Sequence, residues 1–334
     1  MINANKTPKR TKIDIPRSWM EAAERIYSQG RRVMILGTID VGKSTLLLFL
    51  TRYLTARGAK VAIIDADIGQ KDLGPPATIT STTTGKPPRK IRELSIERLY
   101  FVGSVTPLGH LLPMVVGSKI LLEACRADFY LINTTGLITG RGRRLKSFKI
   151  ELLRPDTIVA LERERELEPI LRAHPWPRRI RLKPSQQARP KTREIRSRFR
   201  QKAFQEYFSR ARTIVFDLPQ LVIDTSLLFT GRRIDTPGAV WSEKTSEGLL
   251  VVSERRLPGR IKHIFPQAFV NLLCGLYDKK GLCQGLGIVK KIDFIARQIT
   301  LFTPVGKRDI YLLQPGSLYL SPEGKELGRH QVHL

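Results

Sequence analysis

Buried-strand and amphipathic-helix patterns alternate along the first half of the chain. Short apolar runs that predict strands lie at residues 33–36, 60–64, 99–103, 129–133 and 157–161. Between them, helices are predicted at 16–29, 43–57, 111–127, 141 onward and 162–172. Strands that alternate with helices of this length predict an α/β fold, with a mostly parallel sheet flanked by helices on both faces.

The segment 73–88 interrupts this alternation. It is rich in Gly, Pro and Thr, and nothing in its pattern predicts regular structure. We therefore expect a long loop between the second and third strands.

Beyond residue 213 the helical spacing disappears. Short β-branched and apolar pieces replace it, separated by turns that contain Gly or Pro. The predicted strands lie at 221–229, 248–253, 270–277, 285–292, 298–303 and 309–313, with a hairpin turn at 278–281. We expect a smaller β-rich C-terminal domain over 218–334, preceded by an α/β domain over 14–217.

A strongly basic segment, 178–212, ends the α/β part. It carries thirteen Lys and Arg residues against two Glu residues, and its second half predicts a helix over 192–211. The predicted packing residues of this helix are Ile195, Phe199 and Phe208. Arg196 and Arg200 are four residues apart, so they would project from the same side. Such a charge run is commonly a solvated surface, but its position also fits a mobile helical hairpin that closes over a site.

The net charge is the most unusual property of the composition. The 334 residues include 58 Lys and Arg against 30 Asp and Glu, which gives a net charge of +28. Solvated surface charge explains part of such an excess, but its one-sidedness favours a polyanionic partner, with nucleic acid as the first candidate. Residues 1–13 are predicted to be a disordered basic arm.

The sequence gives no sign of a membrane or secreted protein. No apolar run approaches the ~20 residues of a membrane span, and the polar N-terminus does not predict a secretory signal. The three cysteines share no metal-ligand spacing, and the five histidines are scattered. We expect a cytoplasmic protein with reduced cysteines and no membrane partner.

The strongest motif lies between the first predicted strand and the helix that follows. Residues 37–45 match the spacing G-x-x-x-x-G-K-[ST] of a phosphate-binding loop. Such a loop directs backbone amides at phosphate oxygens, and the dipole of the next helix adds positive potential. Lys43 would reach the outer phosphates, and the Ser44 hydroxyl would bind Mg²⁺. The residues expected to hold the nucleoside triphosphate are Gly37, Thr38, Asp40, Val41, Gly42, Lys43, Ser44 and Thr45.

Two carboxylates follow the second predicted strand. Asp65 and Asp67 would lie at the carboxyl edge of the sheet, where open α/β sheets bind their ligands. Strand alternation places both on one face, so both could reach a metal ion or a reacting hydroxyl group. The pattern leaves open which of the two acts as the base.

A phosphate loop does not specify the acceptor of the phosphoryl group. Water as acceptor makes the protein an NTPase, whereas a hydroxyl group makes it a kinase. A kinase benefits from a carboxylate near the hydroxyl group and from arginines over the migrating phosphoryl group, which Asp67, Arg196 and Arg200 could supply. The basic charge makes the end of an oligonucleotide the natural acceptor.

Four motifs in this order resemble those of the polynucleotide 5′-hydroxyl kinases. They are G-x-x-D-x-G-K-S-T at 37–45, D-x-G-Q at 67–70, T-x-G at 134–136 and R-x-x-x-R at 196–200. The family includes RNA kinases of mRNA 3′-end formation, tRNA splicing and rRNA processing, together with archaeal relatives. The short stretch before the first strand is similar to the archaeal type, which lacks an N-terminal β domain.

The resemblance implies a role for each motif. Lys43 and the loop amides would bind ATP or another nucleoside triphosphate. The residues implied near Mg²⁺ are Ser44, Asp67 and Gln70. Asp67 would activate the 5′-hydroxyl group, and Arg196 and Arg200 would belong to a lid that stabilises the transferred phosphoryl group. The implied clasp around the terminal nucleotide consists of Thr134, Thr135, Gly136 and Leu137. In this family the clasp commonly ends in an aromatic residue, whereas here Leu137 stands there.

These observations predict a Mg²⁺- and NTP-dependent kinase that phosphorylates the 5′-hydroxyl group of RNA, with DNA as a second acceptor. Two alternatives remain open from sequence. One is a P-loop NTPase switch that drives the assembly of a protein partner. The other is an RNA-binding scaffold that holds ATP without turning it over.

Overall fold

The computed structural model describes residues 15–259, 261–307 and 310–330. The predicted basic arm at 1–13 lies outside these ranges. The helices are α1 (Arg17–Gln29), α2 (Lys43–Thr55), α3 (Leu111–Ala124), α4 (Arg141–Leu153), α5 (Glu168–Ala173) and α6 (Arg193–Phe208). Within the described ranges, no helix is both long enough and apolar enough to cross a membrane.

Strands form most of the rest of the chain. Those up to residue 217 are β1 (Arg32–Gly37), β2 (Val61–Ala66), β3 (Thr78–Thr84), β4 (Arg98–Phe101), β5 (Phe129–Thr134), β6 (Thr157–Leu161), β7 (Arg178–Leu182) and β8 (Arg212–Asp217). Those beyond it are β9 (Val222–Ile223), β10 (Arg232–Arg233), β11 (Trp241–Thr245), β12 (Gly248–Val252), β13 (Ile261–Ile264), β14 (Leu272–Tyr277), β15 (Cys283–Asp293), β16 (Gln298–Thr303), β17 (Leu312–Leu320) and β18 (Glu326–Arg329).

The centre of the fold is a run of parallel strands in the order β2-β5-β1-β6-β7. Strands β2, β5, β1 and β6 are mostly apolar and almost entirely buried, because helices cover both faces and leave no solvated side. On one face, Trp19 of α1 and Leu47 of α2 pack against Val33 and Leu131. On the other, Leu145 of α4 packs with Met34 and the rest of a second apolar cluster. The predicted α/β core is confirmed.

The prediction of a long loop over 73–88 was wrong, because Thr78–Thr84 forms β3. This strand pairs antiparallel with both β2 and β4. Buried threonines occupy positions of this strand where apolar residues would be expected, so the sequence lacks the alternation that predicts a strand. Their hydroxyl groups donate hydrogen bonds to nearby backbone carbonyls. Thr78 donates to the carbonyl of Pro75, and Thr80 donates to the carbonyl of Leu73.

The helix predicted over 162–172 is confined to α5. Acidic side chains accept hydrogen bonds from the backbone amides before it, which forms a turn instead of a helical start. Glu162 accepts from the amide of Leu167, and Glu166 accepts from the amides of Arg163 and Glu164. Acidic residues that bind nearby amides compete with helix in this way.

The basic segment is not a helical hairpin. Its first part is the edge strand β7, in which Ile180 and Leu182 are buried between exposed arginines. Its second part is the single helix α6, capped by the Thr192 hydroxyl, which accepts from the amide of Ile195. Two predicted packing residues were wrong: Ile195 and Phe199 are exposed, and the buried face consists of Phe204 and Phe208.

The β-rich C-terminal region is hydrogen-bonded to the α/β core. β15 pairs with β4 through Cys283 and Leu99, and β8 pairs with β16 along its whole length. A four-stranded sheet, β10 to β13, packs beside it. The predicted hairpin turn at 278–281 is confirmed between β14 and β15.

Two predicted strand positions in this region were wrong. The strand expected at 309–313 begins only at Leu312 and then runs through Pro315 and Gly316 to Leu320, because a register shift against β14 accommodates the proline. The strand expected at 221–229 contains only the short β9.

Candidate functional site

The phosphate loop lies at the carboxyl end of β1 and leads directly into α2. Gly42 adopts a left-handed conformation with φ of 94°, which glycine accommodates without strain. A side chain at Gly37 would place its Cβ 2.5 Å from the carbonyl oxygen of Leu161. No side chain caps the start of α2. The loop therefore has the backbone of an anion-binding site at a helix N-terminus.

Lys43 is buried at the base of this loop. Its ammonium group donates a hydrogen bond to the carbonyl of Thr38 at 2.6 Å. Burial lowers the pKa of Lys43, and the negative charges of Asp67 and Asp40 partly oppose that shift. A phosphate would offer this cation a stronger partner than a carbonyl group does.

Asp65 and Asp67 occupy different environments, although only one residue separates them in the sequence. Asp65 is fully engaged: its carboxylate accepts from the amides of Asp72 and Leu73 and from the side chain of Asn133, each at 3.1 Å. Lys71 completes its surroundings as a fully buried ion pair. Asp65 therefore organises the turn after β2.

Asp67 lies beyond the end of β2 and lines the cavity above the phosphate loop. One carboxylate oxygen accepts from the amides of Gly69 and Gln70, at 3.1 and 3.0 Å. Burial raises the pKa of Asp67, and the nearby Lys43 cation opposes that increase. A buried carboxylate with one oxygen held by amides is suited to accept a proton from a hydroxyl group.

Asp72 lies beside the phosphate loop and was not identified from sequence. Its carboxylate is hydrogen-bonded by Ser44, and its Oδ2 atom is buried without a partner among the described residues. Burial and the charge of Asp65 raise the pKa of Asp72 to about 6. Ser44 and Asp67 line the cavity above the phosphate loop, and Ser44 and Asp72 line the cleft that adjoins it, so oxygen donors, the ligands that Mg²⁺ prefers, lie on both sides of Ser44.

The predicted clasp packs directly against the phosphate loop. Thr134 ties β5 to β1 by donating to the carbonyl of Ile35 at 2.8 Å. A Cβ atom on Gly136 would lie 2.5 Å from the backbone nitrogen of Ile39, so the close approach requires glycine. Leu137 packs against Gly142 at the start of α4.

Two buried lysines of α4 stand behind the clasp. Lys146 donates to the Thr135 hydroxyl at 2.8 Å, whereas Lys149 has no hydrogen-bond partner among the described residues. Burial lowers the pKa of both lysines, that of Lys149 to about 7, and Lys71 adds to the shift of Lys149. Helical periodicity could have found them, because they share the face of Leu145, Ile150 and Leu153.

Lys149→Met should increase stability at neutral pH and flatten its pH dependence. The wild-type folded state loses the Lys149 proton near pH 7, whereas the unfolded state keeps it to about pH 10. Below pH 7 the buried Lys149 charge lowers the free energy of unfolding by its full amount, and above pH 7 this effect decreases. The free energy of unfolding of the wild type therefore rises with pH above 7, by up to roughly 1 kcal/mol per pH unit. Urea unfolding from pH 6.5 to 9 measures this slope.

The matched control is Lys86→Met, which removes an exposed lysine and should leave the pH slope unchanged. If the free energy of unfolding of the wild type and of Lys149→Met changed equally with pH, burial would not be lowering the pKa of Lys149.

The basic helix α6 brings its two arginines to different partners. Arg196 contacts the phosphate loop through an ion pair with Asp40 at 3.0 Å, and the amide of Lys191 donates to the same carboxylate oxygen. Arg200 forms an ion pair with Glu326 of β18. The C-terminal region thus contacts α6, the predicted lid helix, through Glu326, and no sequence pattern predicts this contact.

Two cavities meet at the start of α2. The phosphate-loop cavity, of about 330 Å³, is lined by Trp19, Asp40, Lys43, Ser44, Thr45, Asp67, Gln70 and residues 187–191. The lid cleft, of about 530 Å³, is lined by residues 69–76, Arg92, Lys191, Phe199, Arg200, Lys202 and Tyr207. Both include Ser44, Thr45, Gln70 and Lys191, so the cavities adjoin. The predicted site residues that line the phosphate-loop cavity are Asp40, Gly42, Lys43, Ser44, Thr45, Asp67 and Gln70. Arg200 lines the lid cleft only, whereas Arg196, Asp65 and the clasp residues 134–137 line neither cavity.

Comparison with known proteins gives consistent matches. The family model of the mRNA cleavage and polyadenylation factor CLP1 P-loop matches residues 37–210. A Pyrococcus furiosus protein named polyribonucleotide 5′-hydroxyl-kinase is 35% identical over 338 residues, which cover 94% of this chain and 95% of that protein. A Methanocaldococcus jannaschii protein of the same name is 34% identical over 343 residues and covers 94% of both chains. The Clp1 kinase of Xenopus tropicalis is 28% identical over 204 residues, covering 56% of this chain and 46% of its own.

Solved structures show the same fold. Clp1p in a complex with Pcf11p superposes with a TM-score of 0.60, covering 90% of this chain and 77% of that chain. The sequence identity is 13%, so the similarity concerns the fold alone.

Proposed function

Because the chain belongs to the CLP1 P-loop family, we propose that it is a polynucleotide 5′-hydroxyl kinase. It transfers the γ-phosphate of ATP, or of another nucleoside triphosphate, to the 5′-hydroxyl end of RNA, with DNA as a second acceptor. The observation that carries this proposal is that Lys43 and Asp67 line one cavity over the phosphate loop, and that Arg196 is held beside it by an ion pair with Asp40, which also lines that cavity.

The side chains around this cavity fit the two halves of the reaction. The loop amides hold the nucleotide phosphates, and Lys43 exchanges the carbonyl of Thr38 for a phosphate oxygen. Asp67 accepts the proton of the 5′-hydroxyl group as the hydroxyl oxygen attacks the γ-phosphorus, and the bond from that phosphorus to the β,γ-bridging oxygen breaks, which releases the nucleoside diphosphate. Arg196 moves from Asp40 to the migrating phosphoryl group, whose charge it neutralises.

Magnesium fits the oxygen donors beside the loop. Ser44, Asp67 and Gln70 line the phosphate-loop cavity, and Asp72 of the adjoining lid cleft adds an oxygen without a hydrogen-bond partner among the described residues. In the described part of the chain, no group of three His, Cys, Asp or Glu side chains could hold a metal ion by itself. The ion would therefore depend on phosphate oxygens as further ligands, and it would neutralise charge on them.

The acceptor end binds near the clasp, Thr134 to Leu137, which packs against Ile39 of the phosphate loop. The basic surface of a chain with a net charge of +28 attracts the strand electrostatically. We place the protein in the cytoplasm as part of this proposal, where ATP and RNA are both present.

Incubation with γ-labelled ATP and a 5′-hydroxyl RNA oligonucleotide tests the proposal. Label should appear at the 5′ end, and a 5′-phosphorylated oligonucleotide of the same sequence should remain unlabelled. Hydrolysis of ATP without any labelled oligonucleotide would refute the kinase and favour an NTPase. Parallel reactions with DNA of the same sequence measure the acceptor preference.

Arg196→Ala should lower kcat roughly 100-fold while changing the KM for ATP only slightly, because its charge acts mainly on the transition state. Arg200→Ala should lower kcat less, since Arg200 contacts Glu326 and not the phosphate loop. Steady-state kinetics with saturating RNA measures both effects.

Arg198→Ala is the matched control, because Arg198 lies on the same helix and is exposed. A loss of kcat as large in Arg198→Ala as in Arg196→Ala would show that general helix charge, and not the contact with the phosphate loop, matters.

A further inference from the structure

We propose that the lid cleft is a binding subsite for a base of single-stranded nucleic acid, and that the ring of Phe199 stacks on this base. The inference rests on the proposed kinase function, because it places the acceptor strand beside the phosphate-loop cavity. The base belongs to a nucleotide close to the 5′ end.

The position of the cleft gives the first argument. It shares Ser44, Thr45 and Gln70 with the phosphate-loop cavity, so a strand whose end reaches Asp67 can continue into it. From these shared residues the two cavities extend toward different elements. The phosphate-loop cavity reaches Trp19 and Gln187, whereas the lid cleft runs between α6 and the turn at 69–76.

The charge of the cleft gives the second argument. Its basic lining residues are Lys71, Arg92, Lys191, Arg200 and Lys202, against the acidic Asp72 and Glu206. Lys71, Arg200 and Lys202 are paired with Asp65, Glu326 and Glu206, whereas Arg92 and Lys191 are exposed. A groove whose lining has more basic than acidic side chains suits a phosphate backbone.

Phe199 itself gives the third argument. It is 54% exposed, while Phe204 and Phe208 of the same helix are buried. The Lys191 ammonium lies 5.1 Å from the centre of its ring, so one face is already polarised by a cation. An exposed ring in a basic cleft is the combination by which proteins bind single-stranded nucleic acid without sequence readout.

The adenine of ATP is the competing occupant of this ring. The phosphate-loop cavity has its own extension toward Trp19, Gln187 and Ala188, which leaves room for the nucleotide base there. The larger lid cleft opens instead along exposed basic side chains, which match a chain of phosphates better than a single nucleotide. These observations favour the acceptor strand over adenine as the occupant of the lid cleft.

Phe199→Leu, which removes the ring and keeps an apolar side chain, tests the proposal. The KM for a single-stranded 5′-hydroxyl RNA should increase roughly 10-fold as stacking is lost, with the KM for ATP unchanged. Phe199→Trp, which keeps an aromatic ring at this position, should retain the wild-type KM for RNA. RNA oligonucleotides with one abasic nucleotide at successive positions from the 5′ end identify the stacked base. At that position, Phe199→Leu should not increase the KM for RNA further, because the stacking contact is already absent.

The control is Phe148→Leu, because Phe148 is exposed on α4, outside the lid cleft, and has a similar cation neighbour in Arg144. It should leave both KM values unchanged. An unchanged RNA KM in Phe199→Leu, or an increase in the KM for ATP instead, would overturn the proposal.

A binding measurement separates this inference from the proposed reaction. In Phe199→Trp, single-stranded oligonucleotide should quench the additional tryptophan fluorescence relative to wild type, whereas a non-hydrolysable ATP analogue should not. If no phosphate is transferred to any oligonucleotide, the kinase function fails, and this quenching still decides whether the cleft binds the strand. Quenching by the ATP analogue alone would assign the ring to the nucleotide.

Discussion

Lys43→Ala should abolish phosphoryl transfer, with kcat falling roughly 1,000-fold or more. The ammonium group of Lys43 is buried in the phosphate loop, next to Asp67, and its present partner is only the carbonyl of Thr38. Two further buried lysines nearby, Lys71 and Lys146, are already held by Asp65 and Thr135. They are therefore not positioned to replace it.

The same substitution should leave the fold intact. Burial disfavours the charged form of Lys43, so its removal relieves a desolvation cost instead of breaking a core contact. Single-turnover transfer with labelled ATP and urea unfolding, performed on the same preparation, separate the two effects. Lys86→Ala, at an exposed site, is the control. Transfer within ten-fold of wild type would contradict the role of Lys43.

Asp67→Asn and Asp65→Asn should have opposite consequences, which makes them a sharp test of the proposed base. Asp67→Asn should lower kcat roughly 100- to 10,000-fold because the proton acceptor is lost. Its stability should change little, since the remaining carbonyl oxygen can still accept from the amides of Gly69 and Gln70.

Asp65→Asn should mainly destabilise the protein, by roughly 3 kcal/mol. Both oxygens of Asp65 accept hydrogen bonds, and an amide nitrogen cannot accept from the amides of Asp72 and Leu73. It would also leave Lys71 as a buried charge without a counterion. Kcat and urea unfolding of both variants provide the measurement. A stable, inactive Asp65→Asn beside an active Asp67→Asn would transfer the role of base to Asp65.

The placement of these two carboxylates illustrates the limit of sequence pattern. Alternation along a strand predicts that Asp65 and Asp67 face the same side, but β2 ends at Ala66. Beyond the last ladder residue the backbone turns, so the period of two no longer applies. Asp65 is then enclosed by the turn it organises, and Asp67 alone borders the cavity.

The lid helix shows the same limit for packing. Ile195 and Phe199 were expected to be buried because they are apolar, yet Phe204 and Phe208 face the C-terminal strands. Helical periodicity predicts which residues share a face of α6. It does not predict which face packs against the apolar side chains of residues 273–320, which are distant in the sequence. The predicted boundaries 14–217 and 218–334 stay a prediction, and across them β15 pairs with β4.

The sequence by itself determined the parallel core, the phosphate loop and the order of the four motifs, because these depend on local periodicity and on residue types at fixed spacing. The tertiary structure decided which side chains act together. Arg196 meets Asp40, Arg200 meets Glu326, and two lysines of α4 are buried behind the clasp. Such contacts join residues up to 156 positions apart, and their geometry arises only when helices and strands pack around a common core.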